Sequence, residues 1–366
     1  MLEIAPVDGG SARTINADDL DWAVILPLCD CSVPMLSGLA VFDRTISALA
    51  ESQPRFKASF AVAGTNHNFF NSIWRAELFQ QPVNPSYPQG CVDQQALFDS
   101  EAAASQVEQS VGAVVALNFF RATVGHDRDP ALARLFDSAT PLPVELSQLT
   151  RIERGYSSSA SRQMIAPLED FTMPTGQNSE GGTNFAQNIL VDHDFVPEHE
   201  VRAGLISWDN PADPETESFF QTNWTQPGEG RPINGFASLT LRASLQCGPS
   251  FFSCTDTSPL NAALSPVDFS IALVAADGTL SREVHISDYA KMVGPVGSLA
   301  GFAQNVERHP TLQSIRIPLE EFGPPAGGLL KGVRISFNRS PSGAIYIANI
   351  RLDRRTAPDT EIHQHE

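Results

Sequence analysis

Two residues have the side-chain types and the setting for proton transfer. His67 follows the apolar run 58–63 and Gly64, inside the polar cluster Thr65-Asn66-His67-Asn68, with Asn71 close behind. Asp30 follows a second apolar run, residues 22–28, and opens the segment Asp30-Cys31-Ser32-Val33-Pro34. A carboxylate at one strand end can accept the Nδ1 proton of an imidazole held at the next. It thereby fixes the ring tautomer and stabilises the imidazolium that forms when the ring acts as general base. Taken singly, an Asp at a loop–helix junction is an ordinary cap and a lone His is ordinarily structural. On consecutive strand ends the two point to acid–base chemistry.

Those strand ends need a sheet to hold them. Trp22-Ala23-Val24-Ile25-Leu26-Pro27-Leu28 is continuously apolar and of strand length, the pattern of a parallel strand covered on both faces. The stretch 39–51 puts Phe42, Ile46 and Leu49 on one helical face. Strand, helix and strand at this spacing predict one βαβ unit with a right-handed crossover. Residues 1–8 read as a strand end and turn, and 75–92 as a Pro-rich loop. From 93 to 124 the period is helical: Val107, Val111, Val114 and Val115 form a stripe, and Gly125 is a stop.

Strand-Asp-x-x-Val-Pro, helix, strand-Gly-x-Asn-His-Asn-Phe-Phe-Asn and a long helix together resemble the C-terminal part of the α/β-hydrolase fold. The resemblance is to secreted esterase- or lipase-like members related to dienelactone and polyester hydrolases, and it covers about residues 1–137. It implies a serine ester hydrolase with Asp30 as triad acid and His67 as base, acting on an ester substrate or polymer. Members of that group often carry Cys-Asp-Gly-Asp-Val where this chain has Cys29-Asp30-Cys31-Ser32-Val33, which leaves Asp30 as the one acid candidate. The nucleophile is expected on a G-x-S-x-G elbow. Ser11, Ser157 and Ser250 each follow a glycine by one or two positions, and none sits in that pattern. The resemblance places the elbow and its oxyanion loop upstream of Leu2, so the chain is expected to be inactive alone.

Residues 138–184 shift to Ser, Thr, Gly and Pro and are expected to be a linker, with a short strand near 162–165. From 185 to 355 the period becomes two. Ala237, Leu239, Leu241, Ala243 and Leu245 alternate with Ser238, Thr240, Arg242 and Ser244, and Asp277-Gly278 marks a hairpin. The fold class expected is therefore a partial α/β-hydrolase sheet followed by an all-β jelly-roll sandwich, with a polar tail over 356–366. Trp208 and Trp224 could stack on sugars, though core packing is the commoner use of each. The second functional reading is accordingly a non-catalytic protein that binds a glycan or a partner through its sandwich.

A net charge of −18, from 24 Lys+Arg against 42 Asp+Glu, argues against a general nucleic-acid binder. No apolar run reaches the roughly 18 residues a spanning helix needs. Five cysteines allow Cys247–Cys254 to close a local bridge and Cys29 or Cys31 to reach Cys91, which implies an oxidising, secreted or periplasmic setting. No cofactor cradle is present. Asp192, His193, Asp194 and His199 are weakly spaced for a metal and read as solvated loop residues.

Overall fold

The computed structural model describes residues 1–6, 20–28, 36–47, 56–65, 67–70, 101–125, 127–157, 165–196, 199–209, 217–224, 230–246, 266–292, 297–299, 306–308, 310–323 and 328–354. Asp30, all five cysteines and the tail lie outside them.

The N-terminal part is a four-stranded sheet in the order β1 (Leu2–Ile4), β2 (Trp22–Pro27), β3 (Lys57–Val62), β4 (Ile152–Ser157). β1, β2 and β3 are parallel, and β4 closes the β3 edge antiparallel. Helix α1 (Gly38–Ser47) covers one face and α2 (Glu101–Thr123) the other. This is why every residue of β2 is buried. Trp22, Val24 and Leu26 pack with Leu39, Val41 and Phe42 of α1, while Ala23 and Ile25 pack with Val107, Val111 and Val115 of α2. A side chain at Gly38 would meet Leu26 at 2.8 Å, so glycine lets α1 start against the sheet.

The stretch expected to be a linker is not one. Residues 152–157 form β4, and β5 (Ile165–Glu169) belongs to the sandwich. The reason is an unpaired edge: β3 needs a partner for its outer backbone groups, and Gly155 fits because Ser59 Oγ accepts its amide proton at 3.1 Å. A Cβ on Gly155 would lie 2.3 Å from that oxygen.

The C-terminal part is a β-sandwich of two antiparallel sheets. It is built from β6 (Thr183–Gln187), β7 (Leu190–Val196), β8 (Val201–Asp209), β9 (Phe219–Asn223), β10 (Arg231–Pro232), β11 (Phe236–Leu245), β12 (Ser270–Ala275), β13 (Val284–His285), a small hairpin of β14 (Gly297–Leu299) and β15 (Val306–Arg308), β16 (Gln313–Pro318), β17 (Leu329–Ser336) and β18 (Ser342–Arg354). The near sheet runs β16-β11-β18-β8-β7, with β5 also on β18, and the far sheet runs β13-β12-β17-β9-β6, with β10 also on β17. The chain switches sheets at most connections, the winding of a jelly roll. Between the sheets lie Leu241, Phe269, Ile335 and Phe337. The Asp277-Gly278 hairpin forms as its sequence requires, with Gly278 at φ 89°.

The outer face of the near sheet is not solvated. Ser238, Thr240, Arg242 and Ser244 are all buried, and α1 and β4 of the N-terminal part lie against this face. Ser314 Oγ accepts the Tyr156 amide proton at 2.8 Å, Arg351 donates to Ser157 Oγ at 3.2 Å, and Arg316 pairs with Asp137 and lies 5.1 Å over the Tyr156 ring.

Candidate functional site

His67 sits where the sequence expects it. β3 ends at Val62, Gly64 takes φ 75°, and His67 begins a single 3-10 turn reaching Phe70. The chain can leave the sheet here because Gly64 turns it at no steric cost and Thr65 donates its hydroxyl proton back to Val62 O at 2.8 Å. The ring is half-buried. The turn is wedged against α2, where a Cβ on Gly112 would meet the Phe70 ring at 2.9 Å. Asp30, its expected partner, lies outside the described residues, so the separation of that pair does too.

A different carboxylate–imidazole pair is present and was not expected. Asp43 on α1 accepts from His199 Nδ1 at 2.6 Å and also pairs with Arg242 of β11. Leu312 donates its amide proton to His199 Nε2 at 2.9 Å. Arg242 Cζ stands 5.2 Å over the Phe42 ring. His199 is not a solvated loop residue: its exposure is 0%, because the turn between β7 and β8 is covered by α1. No substrate reaches such a ring. Asp192 is exposed, His193 stacks edge-on against Phe171 at 5.7 Å, and Asp194 accepts from the Tyr346 hydroxyl at 3.1 Å. Among the described residues no group of three metal-ligating side chains forms.

The two tryptophans belong to the core. Trp208 stacks on Phe337 at 4.4 Å and donates to Ser340 O, and Trp224 donates to Pro167 O. Among the described residues, Phe120 of α2, Phe195 of β7 and Phe185 of β6 are the phenylalanines that reach the surface, and the last lies on the far sheet. Phe220 points into the core, so its neighbours Phe219 and Gln221 point out. Cross-strand pairing puts Phe185, Gln221 and Arg334 in one row on that outer face. Phe185 is 53% exposed. Arg334 lies over Phe219, with Cζ 4.0 Å from the ring centroid, donates from Nε to Gln221 Oε1 at 2.9 Å, and sits 3.7 Å from Glu217. Gln221 in turn donates to Asn223 Oδ1 at 2.9 Å. The result is an open phenyl face beside a partly exposed guanidinium, which the buried amides of Gln221 and Asn223 hold in place. Thr183-Asn184-Phe185-Ala186-Gln187 has no polar–apolar alternation, so the sequence carried no strand signal for Phe185.

No family model and no curated protein matches this chain. Among solved structures it is similar to a family 11 carbohydrate-binding module from Clostridium thermocellum, at 12% identity over 52% of this chain and 96% of that one, with a TM-score of 0.30. It is likewise similar to a family 30 carbohydrate-binding module of a cellulosomal cellulase of the same organism, at 10% identity over 53% of this chain and 99% of that one, with a TM-score of 0.33. A third similarity is to an exo-beta-agarase, at 10% identity over 53% of this chain and 25% of that one, with a TM-score of 0.28.

Proposed function

We propose that this chain binds carbohydrate on the outer face of the far sheet. The observation that carries the reading is the row Phe185–Gln221–Arg334 with Phe219 beneath the guanidinium. A pyranose ring presents an apolar C–H face and a rim of hydroxyls. The open phenyl of Phe185 suits the first. The partly exposed Arg334 guanidinium, already oriented by Gln221, suits the second and loses little side-chain entropy on binding. The outer face of the near sheet is buried against the N-terminal part, whereas on the far sheet the edge strand β6 is open and Arg334 is partly exposed. Such a ligand is met outside the cell, in line with the secreted or periplasmic setting expected from the cysteines.

Affinity electrophoresis in gels containing neutral β-glucan, xylan or agarose tests this. Retarded migration in at least one gel, lost in Phe185→Ala with the melting temperature unchanged, is the expected result. Migration unaffected by every polysaccharide, or retardation that survives Phe185→Ala, removes the reading.

A second reading, ester hydrolysis of the α/β-hydrolase type, is supported by one placement: His67 directly past the carboxyl end of the third parallel strand. Asp30 would orient the ring and His67 would deprotonate a serine nucleophile. The chain alone is expected to turn over p-nitrophenyl acetate at the buffer rate, because no G-x-S-x-G serine is present, and robust turnover that His67→Ala abolishes overturns that expectation. A His67 ring titration unchanged by Asp30→Asn eliminates the reading.

A further inference from the structure

We propose that Asp43, His199 and Arg242 form an acid-releasable latch between the N-terminal part and the sandwich. Asp43 lies on α1, His199 in the turn between β7 and β8, and Arg242 on β11, so three separate elements meet at one imidazole. All three side chains are buried, with exposures of 0% to 3%.

The protonation state follows from the donors around the ring. Leu312 N–H donates to Nε2 at 2.9 Å, so that atom presents a lone pair. The single ring proton then sits on Nδ1 and is donated to Asp43 Oδ2 at 2.6 Å. The cluster is one neutral ring, one carboxylate and one guanidinium, with no net charge in a dry site.

A second proton can go only to Nε2. There it meets the Leu312 N–H donor to donor, and that backbone bond is lost. It also sets a second positive charge beside Arg242, whose Nη2 already crowds the protonated Nδ1 at 2.9 Å, while Asp43 is shared with that guanidinium. An imidazole released into solvent takes its proton at about pH 6.5. The closed arrangement binds no proton at this site and the open one does. The closed-to-open ratio is therefore full above about pH 6.5 and falls by up to about tenfold for each pH unit below it.

Other charged groups frame the cluster. Arg44 of α1 pairs with Glu200 at 3.4 Å, next to His199 in the chain, and Asp194 of β7 holds the Tyr346 hydroxyl. Glu153 of β4 is bonded to Thr311, next to Leu312, and to Arg151 at 3.3 Å. Burial pushes the Glu153 carboxyl up, so it gains a proton as pH falls and acts in the opposite sense to His199.

Hydrogen exchange at the Leu312 amide of the full chain, corrected for intrinsic rates, tests the latch. Protection falling at least about tenfold between pH 7.5 and pH 5.0 in the wild type, with no fall in His199→Gln, is the expected outcome. Glutamine keeps an acceptor for Leu312 and does not titrate. An equal fall in both proteins, or constant protection in the wild type, overturns the proposal. Should His199→Gln fail to fold, the ring 15N shifts of wild-type His199 decide. A bare Nε2 at pH 7 supports the latch, and a doubly protonated ring in the closed form refutes it.

Discussion

Arg334 lies over the ring of Phe219, its Cζ 4.0 Å from the centroid, and Gln221 accepts a hydrogen bond from its Nε. The guanidinium is thus held by a ring and an amide while the side chain stays partly exposed. Lysine carries the same charge but neither the plane nor the fork. Arg334→Lys is expected to weaken polysaccharide binding about tenfold or more, measured by isothermal titration, with the melting temperature little changed. Equal affinity in the two proteins would show that only the charge matters.

Asp43 is the carboxylate on which His199 and Arg242 converge. Removing it leaves a buried guanidinium without its counter-charge, a loss of about 3–5 kcal/mol for such a site. Asp43→Ala is expected to lower the urea unfolding free energy by that order. Asp43→Ala in an Arg242→Met background should cost much less, since the orphaned charge is gone. Additive losses in the double variant would place the two side chains in separate networks.

The α/β unit was legible because its signals are local. A six-residue apolar strand, an amphipathic helix and a second such strand fix β2, α1 and β3 without reference to anything distant. The alternation over β11 was equally plain and gave the residues that share each face. What it could not give was the cover. Ser238, Thr240, Arg242 and Ser244 are the polar half of that alternation, yet they are buried because a second unit docks on them. Asp43 and His199 stand 156 residues apart, so no spacing links them. β4 was hidden for another reason. Ile-Glu-Arg-Gly-Tyr-Ser has no β-branched run, and it is a strand because β3 offers an open edge.

Gly112 is the point where α2 receives the turn carrying His67. A methyl group there would stand 2.9 Å from the Phe70 ring. The helix gains propensity from alanine, by about 1 kcal/mol, but the turn must move. Gly112→Ala is expected to shift the His67 ring resonances while far-ultraviolet circular dichroism stays constant. Unchanged His67 resonances would mean that the turn is seated elsewhere.

Glu153 titrates against its own burial. It is 7% exposed, its carboxyl is bonded to Thr311, and desolvation raises its pKa, with Arg151 opposing. The sign follows directly. Where the folded value lies above the unfolded one, the folded state holds the proton longer, so its advantage is complete below the unfolded value, about 4.3, and is lost as pH rises through the folded one. At neutral pH the ionised group is a burden that a neutral amide of the same shape does not carry. Glu153→Gln is therefore expected to unfold at the same or higher urea concentration than wild type at pH 7. Its relative stability should decline toward pH 4, where the wild-type carboxyl is protonated and donates a hydrogen bond of its own. Urea midpoints at the two pH values check this. A variant that is less stable at pH 7 than at pH 4, relative to wild type, would mean that Arg151 outweighs burial and that the carboxylate is held ionised.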